Sequence, residues 1–131
     1  MKIDLLVGPA MGGILVAYEL GRQLGIEAIF TERVDNIMAL RRGFEVSEGM
    51  NIVICEDVVT TGKSSMEVKA LLESMGAKVI AIASIIDRTN EELELPLISS
   101  LRVEIDTFDA DDCPLCKQGT PVVKPGSRKM D

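Results

Sequence analysis

The segment from Val79 to Ile86 is a run of eight residues in which only Ser84 is polar. A run of this length is typical of a β-strand, and because apolar and polar residues do not alternate along it, both of its faces must be covered. Such strands occur mostly in parallel sheets that carry helices on each side. The chain of 131 residues is 47% apolar, which suffices for one domain, and its aromatic content of 3% makes the core aliphatic. The run therefore predicts a single α/β domain.

Shorter patterns on either side of this strand predict the remaining elements. One helix is indicated by apolar residues at three- and four-residue steps before Gly25, and a second helix by an apolar face that ends at Gly76. The first pattern consists of Ile14, Ala17, Tyr18, Gly21 and Leu24, and the second of Val68, Leu71, Leu72 and Met75. Further strands are predicted at residues 3–7, 28–30, 51–55 and 101–105.

Residues 32–50 are rich in charged side chains without a helical period, and they are predicted to form an exposed loop or β-arm. The order of the elements, with this arm between the second and third strands, predicts a three-layer, Rossmann-like fold with a parallel sheet. Right-handed crossovers bring the carboxyl ends of parallel strands to one edge, where ligands bind. Functional residues are therefore expected just after the strands.

Charge and hydropathy exclude several classes of function. The net charge of −7 disfavours binding to nucleic acid, whose backbone is also negative. The longest apolar runs are much shorter than the ~20 residues of a membrane span, and the first residues lack the pattern of a signal peptide. Three cysteines, an odd number, do not indicate a disulfide framework. These features predict a cytoplasmic protein that binds neither nucleic acid nor membranes.

The strongest functional pattern joins the predicted third strand to the second helix, over residues 52–65. The strand delivers the carboxylates of Glu56 and Asp57 to the ligand-binding edge, and the turn at residues 60–62 leads into a helix whose N-terminus attracts anions. Hydroxyl groups in and after the turn add donors, so the segment predicts a phosphate cradle beside two acids. The alternative is a solvated strand end followed by an ordinary helix cap. A P-loop is excluded because its first glycine would have to occupy the position of Asp57.

This segment resembles the signature with which type I phosphoribosyltransferases bind phosphoribosyl diphosphate. The resemblance implies that Glu56 and Asp57 hold the ribose hydroxyls and that the loop after them holds the 5′-phosphate. A second, glycine-rich loop after the first strand is similar to the family's pyrophosphate loop, although tight packing would also explain its glycines. The substrate-binding residues implied in this way are Glu56, Asp57, Val58, Val59, Thr60, Thr61, Gly62, Lys63 and Ser64, together with Ala10, Met11 and Gly12.

Other segments are similar to one branch of the family, the orotate phosphoribosyltransferases. Residues 30–33 and 40–44 resemble the arm of that branch, and Arg88 follows a strand end at which an arginine of these enzymes meets the carboxylate of the base. A guanidinium group suits this role because its fork matches a carboxylate. Without the resemblance, a surface ion pair of Arg88 with Asp87 or Glu91 would explain the residue equally well.

The resemblance implies transfer of a phosphoribosyl group from phosphoribosyl diphosphate to orotate, in a homodimer. Mg²⁺ is the implied cofactor, since this hard ion binds phosphate oxygens and keeps several waters. Arg33 and Asp57 are the candidate catalytic residues. Three alternatives remain open, namely a phosphoribosyltransferase for another base, a module that binds phosphoribosyl diphosphate without catalysis, and an inactive fragment.

Two departures from the family pattern favour the last two alternatives. The family's enzymes carry a longer N-terminal segment that forms part of a hood over the base, so a fold truncated at its N-terminus is expected here. The mobile loop of orotate enzymes contains a glycine-lysine pair, which is replaced here by Asn36–Ile37. Three arginines, Arg33, Arg41 and Arg42, are candidates to replace the lysine in part.

The chain is predicted to divide into a core at residues 1–108 and a C-terminal extension at residues 109–131. The extension contains Cys113 and Cys116, and its residues 124–128 resemble the tail of the orotate branch. A complete zinc site within one chain is disfavoured because there is no histidine and the third cysteine, Cys55, lies in a predicted buried strand. The pair is interpreted as surface thiols, with an ion shared between chains and a redox-active pair as alternatives.

Overall fold

A computed structural model of the chain describes residues 2–105 and 109–121. The predicted tail motif at residues 124–128 lies outside the described residues. The elements, in chain order, are β1 (Leu5–Pro9), α1 (Gly12–Leu24), β2 (Ala28–Val34), β3 (Ile37–Ala39), β4 (Asn51–Val59), α2 (Lys63–Ser74), β5 (Lys78–Asp87) and β6 (Leu97–Arg102), followed by a 3₁₀ helix (Ala110–Asp112) and α3 (Pro114–Lys117). Within the described residues, no helix is both long enough and apolar enough to cross a membrane.

The six strands form one sheet in the order β3-β2-β1-β4-β5-β6. All neighbouring strands run parallel except β2 and β3, which are antiparallel. The chain moves from β1 outwards to β2 and β3, and then returns to place β4 on the other side of β1. The loops after β1 and β4 therefore start from neighbouring strand ends and lead in opposite directions. Open α/β sheets bind ligands between two such loops.

The helices α1 and α2 cover opposite faces of the sheet. Alternate residues of a strand point to opposite faces, and the buried side chains divide accordingly. On the α1 face, Ala17 packs with Leu6 and Val53, whereas on the α2 face Val68 and Leu72 pack in the larger cluster. The strand members of that larger cluster include Leu5, Val7, Ile52, Ile54, Val79 and Ile82. The prediction of a three-layer fold with a parallel sheet is thus confirmed, except that β3 adds one antiparallel pair at the edge.

The buried side of α1 differs from the apolar stripe predicted for it. Its buried residues are small ones four apart, Gly13, Ala17 and Gly21, whereas Tyr18 is 65% exposed and Leu24 is also exposed. The reason is the close approach of the helix to the sheet, since a Cβ atom on Gly8 of β1 would overlap the Gly13 carbonyl group. Small residues on the inner side allow this approach and leave the larger side chains outside.

Several predicted boundaries were wrong. Strand β4 continues to Val59 because it pairs with β5 along its whole length, so the two acids lie inside the strand and not after it. The last strand runs over Leu97–Arg102 and not over residues 101–105, since Leu97 pairs with Ile82 and Arg102 with Asp87. Helix α2 ends at Ser74, which leaves Met75 40% exposed and outside the apolar face.

Residues 32–50 form a β-arm, as one of the two predicted alternatives had it. Strand β2 extends into this region and pairs with β3 in a hairpin. The segment after β3 is less exposed than predicted, because Leu40, Phe44, Val46 and Met50 pack against the core on the α2 face. The rings of Phe30 and Phe44 meet edge to face with centroids 5.1 Å apart. The arm is therefore a packed part of the domain, and it can position residues near the sheet edge.

Candidate functional site

The two loops predicted to bind the substrate follow the adjacent strands β1 and β4, at the point where the order of the strands reverses. The loop after β1 turns through Ala10, whose amide donates to the Thr31 carbonyl at 2.7 Å, and through a cis peptide bond to Met11. Gly12 then begins α1 directly beside the side chain of Asp57 in β4, and a Cβ atom at position 12 would lie 2.6 Å from Oδ1 of Asp57. The backbone at Gly12 and the carboxylate of Asp57 thus form one surface.

The predicted phosphate cradle follows the end of β4. Gly62 has a φ of +79°, a conformation that favours glycine, and it caps α2 without a side-chain hydrogen bond. The first amides of a helix have no partner within it, and at the start of α2 the Lys63 amide donates to Thr61 Oγ1 at 3.3 Å. A cavity of about 70 Å³ opens here. It is lined by Glu56, Val58, Val59, Thr60, Thr61, Gly62, Lys63 and Ser64.

The two neighbouring acids point to opposite faces of the sheet, because successive residues of a strand alternate. Asp57 lies on the α1 face, where it is exposed, contacts Gly12 and accepts a hydrogen bond from the Val58 amide at 2.7 Å. Glu56 lies on the α2 face and lines the small cavity. One acid therefore borders the loop after β1, and the other borders the loop after β4.

Glu56 is a titratable group of the site whose surroundings shift its pKa strongly. Burial, and then the negative charge of Asp57, raise the pKa of Glu56 from its ordinary 4.5 to about 7. The Ser65 hydroxyl and the positive charge of Arg33 partly oppose this rise. A carboxyl group with this pKa changes protonation near neutrality, and a positive charge brought into the cavity would favour its ionised form.

Arg33 at the end of β2 is held against α2 by an ion pair. Its Nη1 donates to Glu67 Oε2 at 2.7 Å and to the Asn36 carbonyl at 3.0 Å, and its Nη2 lies 3.3 Å from Ser64 Oγ. The side chain of Arg33 is only 10% exposed. The guanidinium group therefore reaches the rim of the cavity at Ser64, although it lies on a different strand.

Arg88 follows the end of β5. Its amide donates to the Val59 carbonyl at 2.8 Å, which places its backbone next to the cradle. Its Nε atom is buried and has no hydrogen-bond partner among the residues that the structure describes. The ion pair predicted as an alternative is absent among the described residues, because Asp87 binds Arg102 at 3.1 Å and the Thr89 hydroxyl at 2.7 Å. Arg88 therefore does not form the predicted ion pair with Asp87.

Residues 1–106 match the family described as "Phosphoribosyl transferase domain". The chain belongs to the phosphoribosyl transferase domain family. It is 50% identical to a protein of Caldanaerobacter subterraneus subsp. tengcongensis and 49% identical to one of Thermoanaerobacter sp. strain X514, both named "Orotate phosphoribosyltransferase". Each match covers 98% of this chain and 69% of the relative.

Solved structures of phosphoribosyltransferases share the fold. Adenine phosphoribosyltransferase from Thermoanaerobacter pseudethanolicus matches with a TM-score of 0.66 and 24% identity, over 78% of this chain and 71% of that one. Orotate phosphoribosyltransferase from Aeropyrum pernix matches with a TM-score of 0.63 and 22% identity, over 78% of this chain and 62% of that one. The predicted family and fold class are confirmed.

Two residues of the site were missed in the sequence. Glu67 forms an ion pair with Arg33. Leu93 packs over the turn at residues 60–62, and its Cδ2 atom is 2.9 Å from the position that a Cβ atom on Gly62 would take. Glu67 stands three residues after Ser64, one helical turn away, so its place beside the cradle could have been inferred. Leu93 lies in an irregular loop far along the chain, and no local pattern indicates its contact.

The Glu56→Gln variant is expected to gain stability relative to the native chain as pH rises. Below pH 4.5 the carboxyl group is protonated whether the chain is folded or not, so it adds no pH dependence there. Between pH 4.5 and about 7 it ionises in the unfolded chain while the folded chain keeps the proton, so native stability falls. Glutamine does not ionise, and the variant should gain at most about 3 kcal/mol over this range.

Urea unfolding at pH 4.5 and pH 8 measures this difference. The matched control is Glu27→Gln, which removes the same charge from an exposed position next to β2. A difference between Glu56→Gln and the native chain that stays constant across this range would show that Glu56 ionises normally in the fold.

Proposed function

We propose that this chain transfers the 5-phosphoribosyl group from phosphoribosyl diphosphate to orotate, giving orotidine 5′-monophosphate and pyrophosphate. The observation that carries the proposal is the contact of Gly12, in the loop after β1, with Asp57 of β4, whose neighbour Glu56 lines the cradle at the end of the same strand. The relatives that are half identical to the chain bear the name of this activity. Arg88 at the same edge, whose buried Nε atom has no hydrogen-bond partner among the described residues, supports orotate as the base.

Each part of the phosphoribosyl diphosphate has a matching part of the site. The 5′-phosphate lies in the cavity at the start of α2, where helix amides and the hydroxyls of Thr60 and Thr61 provide donors. The ribose hydroxyls bind at the end of β4, where Asp57 faces the loop after β1 and Glu56 faces the cavity. The diphosphate lies over the backbone at residues 10–12, where the lack of a side chain on Gly12 permits close approach.

Catalysis in this proposal requires no side-chain nucleophile. As the bond from the anomeric carbon to pyrophosphate breaks, positive charge develops on the ribose, and the carboxylate of Asp57 beside it stabilises that charge. The ion pair with Glu67 holds Arg33 at the rim of the cavity, where its positive charge attracts the negatively charged phosphates of the substrate. Holding both substrates in line supplies the remaining acceleration, because a bimolecular step becomes effectively unimolecular.

Mg²⁺ fits this site as an ion carried largely by the substrate. Within residues 2–105 and 109–121, no group of three or more His, Cys, Asp or Glu side chains is placed so that it could hold a metal ion. This agrees with an ion that keeps its waters and takes one or two carboxylates besides phosphate oxygens. Asp57, which borders the loop after β1, is the residue that would hold it, and when bound it would neutralise the leaving pyrophosphate.

We further infer that the protein works in the cytoplasm as a homodimer, with a core at residues 1–108 and an extension at residues 109–131. A second candidate function is binding of phosphoribosyl diphosphate without catalysis. It is favoured by the absence of lysine from residues 34–40 of the sequence, where β3 forms part of the packed arm. A phosphoribosyltransferase for a different base is the third, and Arg88 distinguishes it.

With phosphoribosyl diphosphate and Mg²⁺ present, the chain is expected to consume orotate. The loss of the ultraviolet absorbance of orotate measures this consumption. Adenine in place of orotate is the matched control, and it should not be converted. Calorimetric titration with phosphoribosyl diphosphate separates the alternatives. Binding without turnover of either base would reduce the chain to a binding module, and the absence of both would contradict the assigned site.

A further inference from the structure

The two cysteines of the C-terminal extension lie in a setting that the transferase site does not involve. Cys113 caps the short helix α3, and Cys116 stands three residues later within it. Cys116 is exposed and Cys113 is half-buried, and no residue of α3 is buried. Both thiols are therefore accessible to small molecules, and the backbone that carries them is not constrained by the core.

The backbone holds the two thiols on the same turn. Cys113 Sγ accepts a hydrogen bond from the Cys116 amide at 3.4 Å, and the Lys117 amide donates to the Cys113 carbonyl at 3.0 Å. The two thiol groups also lie within hydrogen-bonding reach of each other. A disulfide requires Cβ atoms about 3.5–4.5 Å apart, and the exposed turn can adjust to this distance.

The hydrogen bonds also make the two thiols unequal. Donation from the amides of Cys116 and Leu115, and from the Cys116 thiol, lowers the pKa of Cys113. The same thiol-to-thiol hydrogen bond, desolvation and the negative charge of the Cys113 thiolate raise the pKa of Cys116. Since the thiolate is the reactive form, Cys113 is the first nucleophile and Cys116 is the residue that attacks second.

The remaining cysteine takes no part in this chemistry. Cys55 is buried in β4, and burial raises the pKa of its thiol to about 12. It is both inaccessible and protonated at neutral pH. A metal site is a weaker explanation for the pair, because the described residues offer no third ligand near it.

We propose that Cys113 and Cys116 form a dithiol site that low-molecular-weight disulfides oxidise to an intramolecular disulfide. The Cys113 thiolate attacks one sulfur of the small disulfide, forms a mixed disulfide and releases the first small thiolate. The Cys116 thiolate then attacks the Cys113 sulfur and releases the second. Two protein thiols are oxidised, one small disulfide is reduced, and the two protons from the cysteines end on the two released small thiols.

The test incubates the reduced full chain with oxidised glutathione and follows its intact mass and its free thiols. The native chain should lose the mass of two hydrogens, release two glutathione molecules and keep Cys55 as a free thiol. Cys116→Ser should stop at a stable mixed disulfide on Cys113. Cys113→Ser should react more slowly, by roughly threefold for each pKa unit between the two thiols, since a smaller thiolate fraction is partly offset by greater nucleophilicity.

The two serine variants are matched controls for one another, because both lie on the exposed turn and leave the core untouched. The proposal is overturned if the native chain keeps three free thiols, or if it accumulates a mixed disulfide that does not close. Equal reaction rates of the two variants would overturn the assigned order of attack. Zinc that co-purifies with the chain and blocks both thiols would replace the redox site with a metal site shared between copies.

Discussion

Gly12→Ala is expected to lower kcat/KM for the transfer by about a hundredfold or more while leaving the fold intact. The added Cβ atom would overlap the carboxylate of Asp57, which is held in place by the Val58 amide. Because the side chain of Asp57 is exposed, it can rotate away, so the free energy of unfolding should change little. A displacement of about 1 Å in a positioned group is enough for a loss of this size. Steady-state kinetics and urea unfolding measure the two quantities.

Gly25→Ala is the matched control for Gly12→Ala. Gly25 ends α1 with a φ of +70°, and no atom of the described part of the chain lies within 4 Å of the position that its Cβ atom would take. The control should cost about 1 kcal/mol of stability and leave kcat/KM unchanged. If Gly12→Ala instead kept the activity of the native chain, the contact between the loop after β1 and Asp57 would have no role in the reaction.

Arg88→Ala is expected to abolish the use of orotate while phosphoribosyl diphosphate still binds. Removing one partner of a buried, hydrogen-bonded charge pair costs about 2–5 kcal/mol, which corresponds to roughly thirtyfold to several thousandfold in kcat/KM. Arg88→Lys should recover only a small part of the loss, because an ammonium group keeps the charge but lacks the fork. The measurements are kcat/KM for orotate and the calorimetric Kd for phosphoribosyl diphosphate.

Arg102→Ala controls for the removal of a positive charge at the same sheet edge. Arg102 pairs with Asp87, the residue before Arg88, and donates to the Thr89 carbonyl at 2.9 Å. Its loss should reduce stability slightly and leave the KM for orotate unchanged, since the ion pair is half exposed. Equal effects of the two substitutions would mean that Arg88 only supports the strand end, and the base would then have to be sought by screening others.

The family, and the residues that line the cavity at the start of α2, could be predicted from the sequence because the information for them is local. Residues 56–64 are consecutive, and a strand, a turn and a helix start specify both their structure and the cavity that they line. The long apolar run of β5 indicated a sheet covered on both faces, and the structure has helices on both. Periodicity was less informative for α1, where close packing selected small residues over large ones.

The sequence by itself determined the fold class, the order of the elements and the consecutive residues that line the cavity at the start of α2, because propensity, turn chemistry and apolar patterning act over short stretches. Only the tertiary structure decided which distant groups meet. It brings Gly12 into contact with Asp57 and places Leu93 over Gly62. It also pairs Arg33 with Glu67. Asp87 pairs with Arg102 and therefore not with Arg88. These contacts join residues far apart in the chain, and strand register and helix packing fix them.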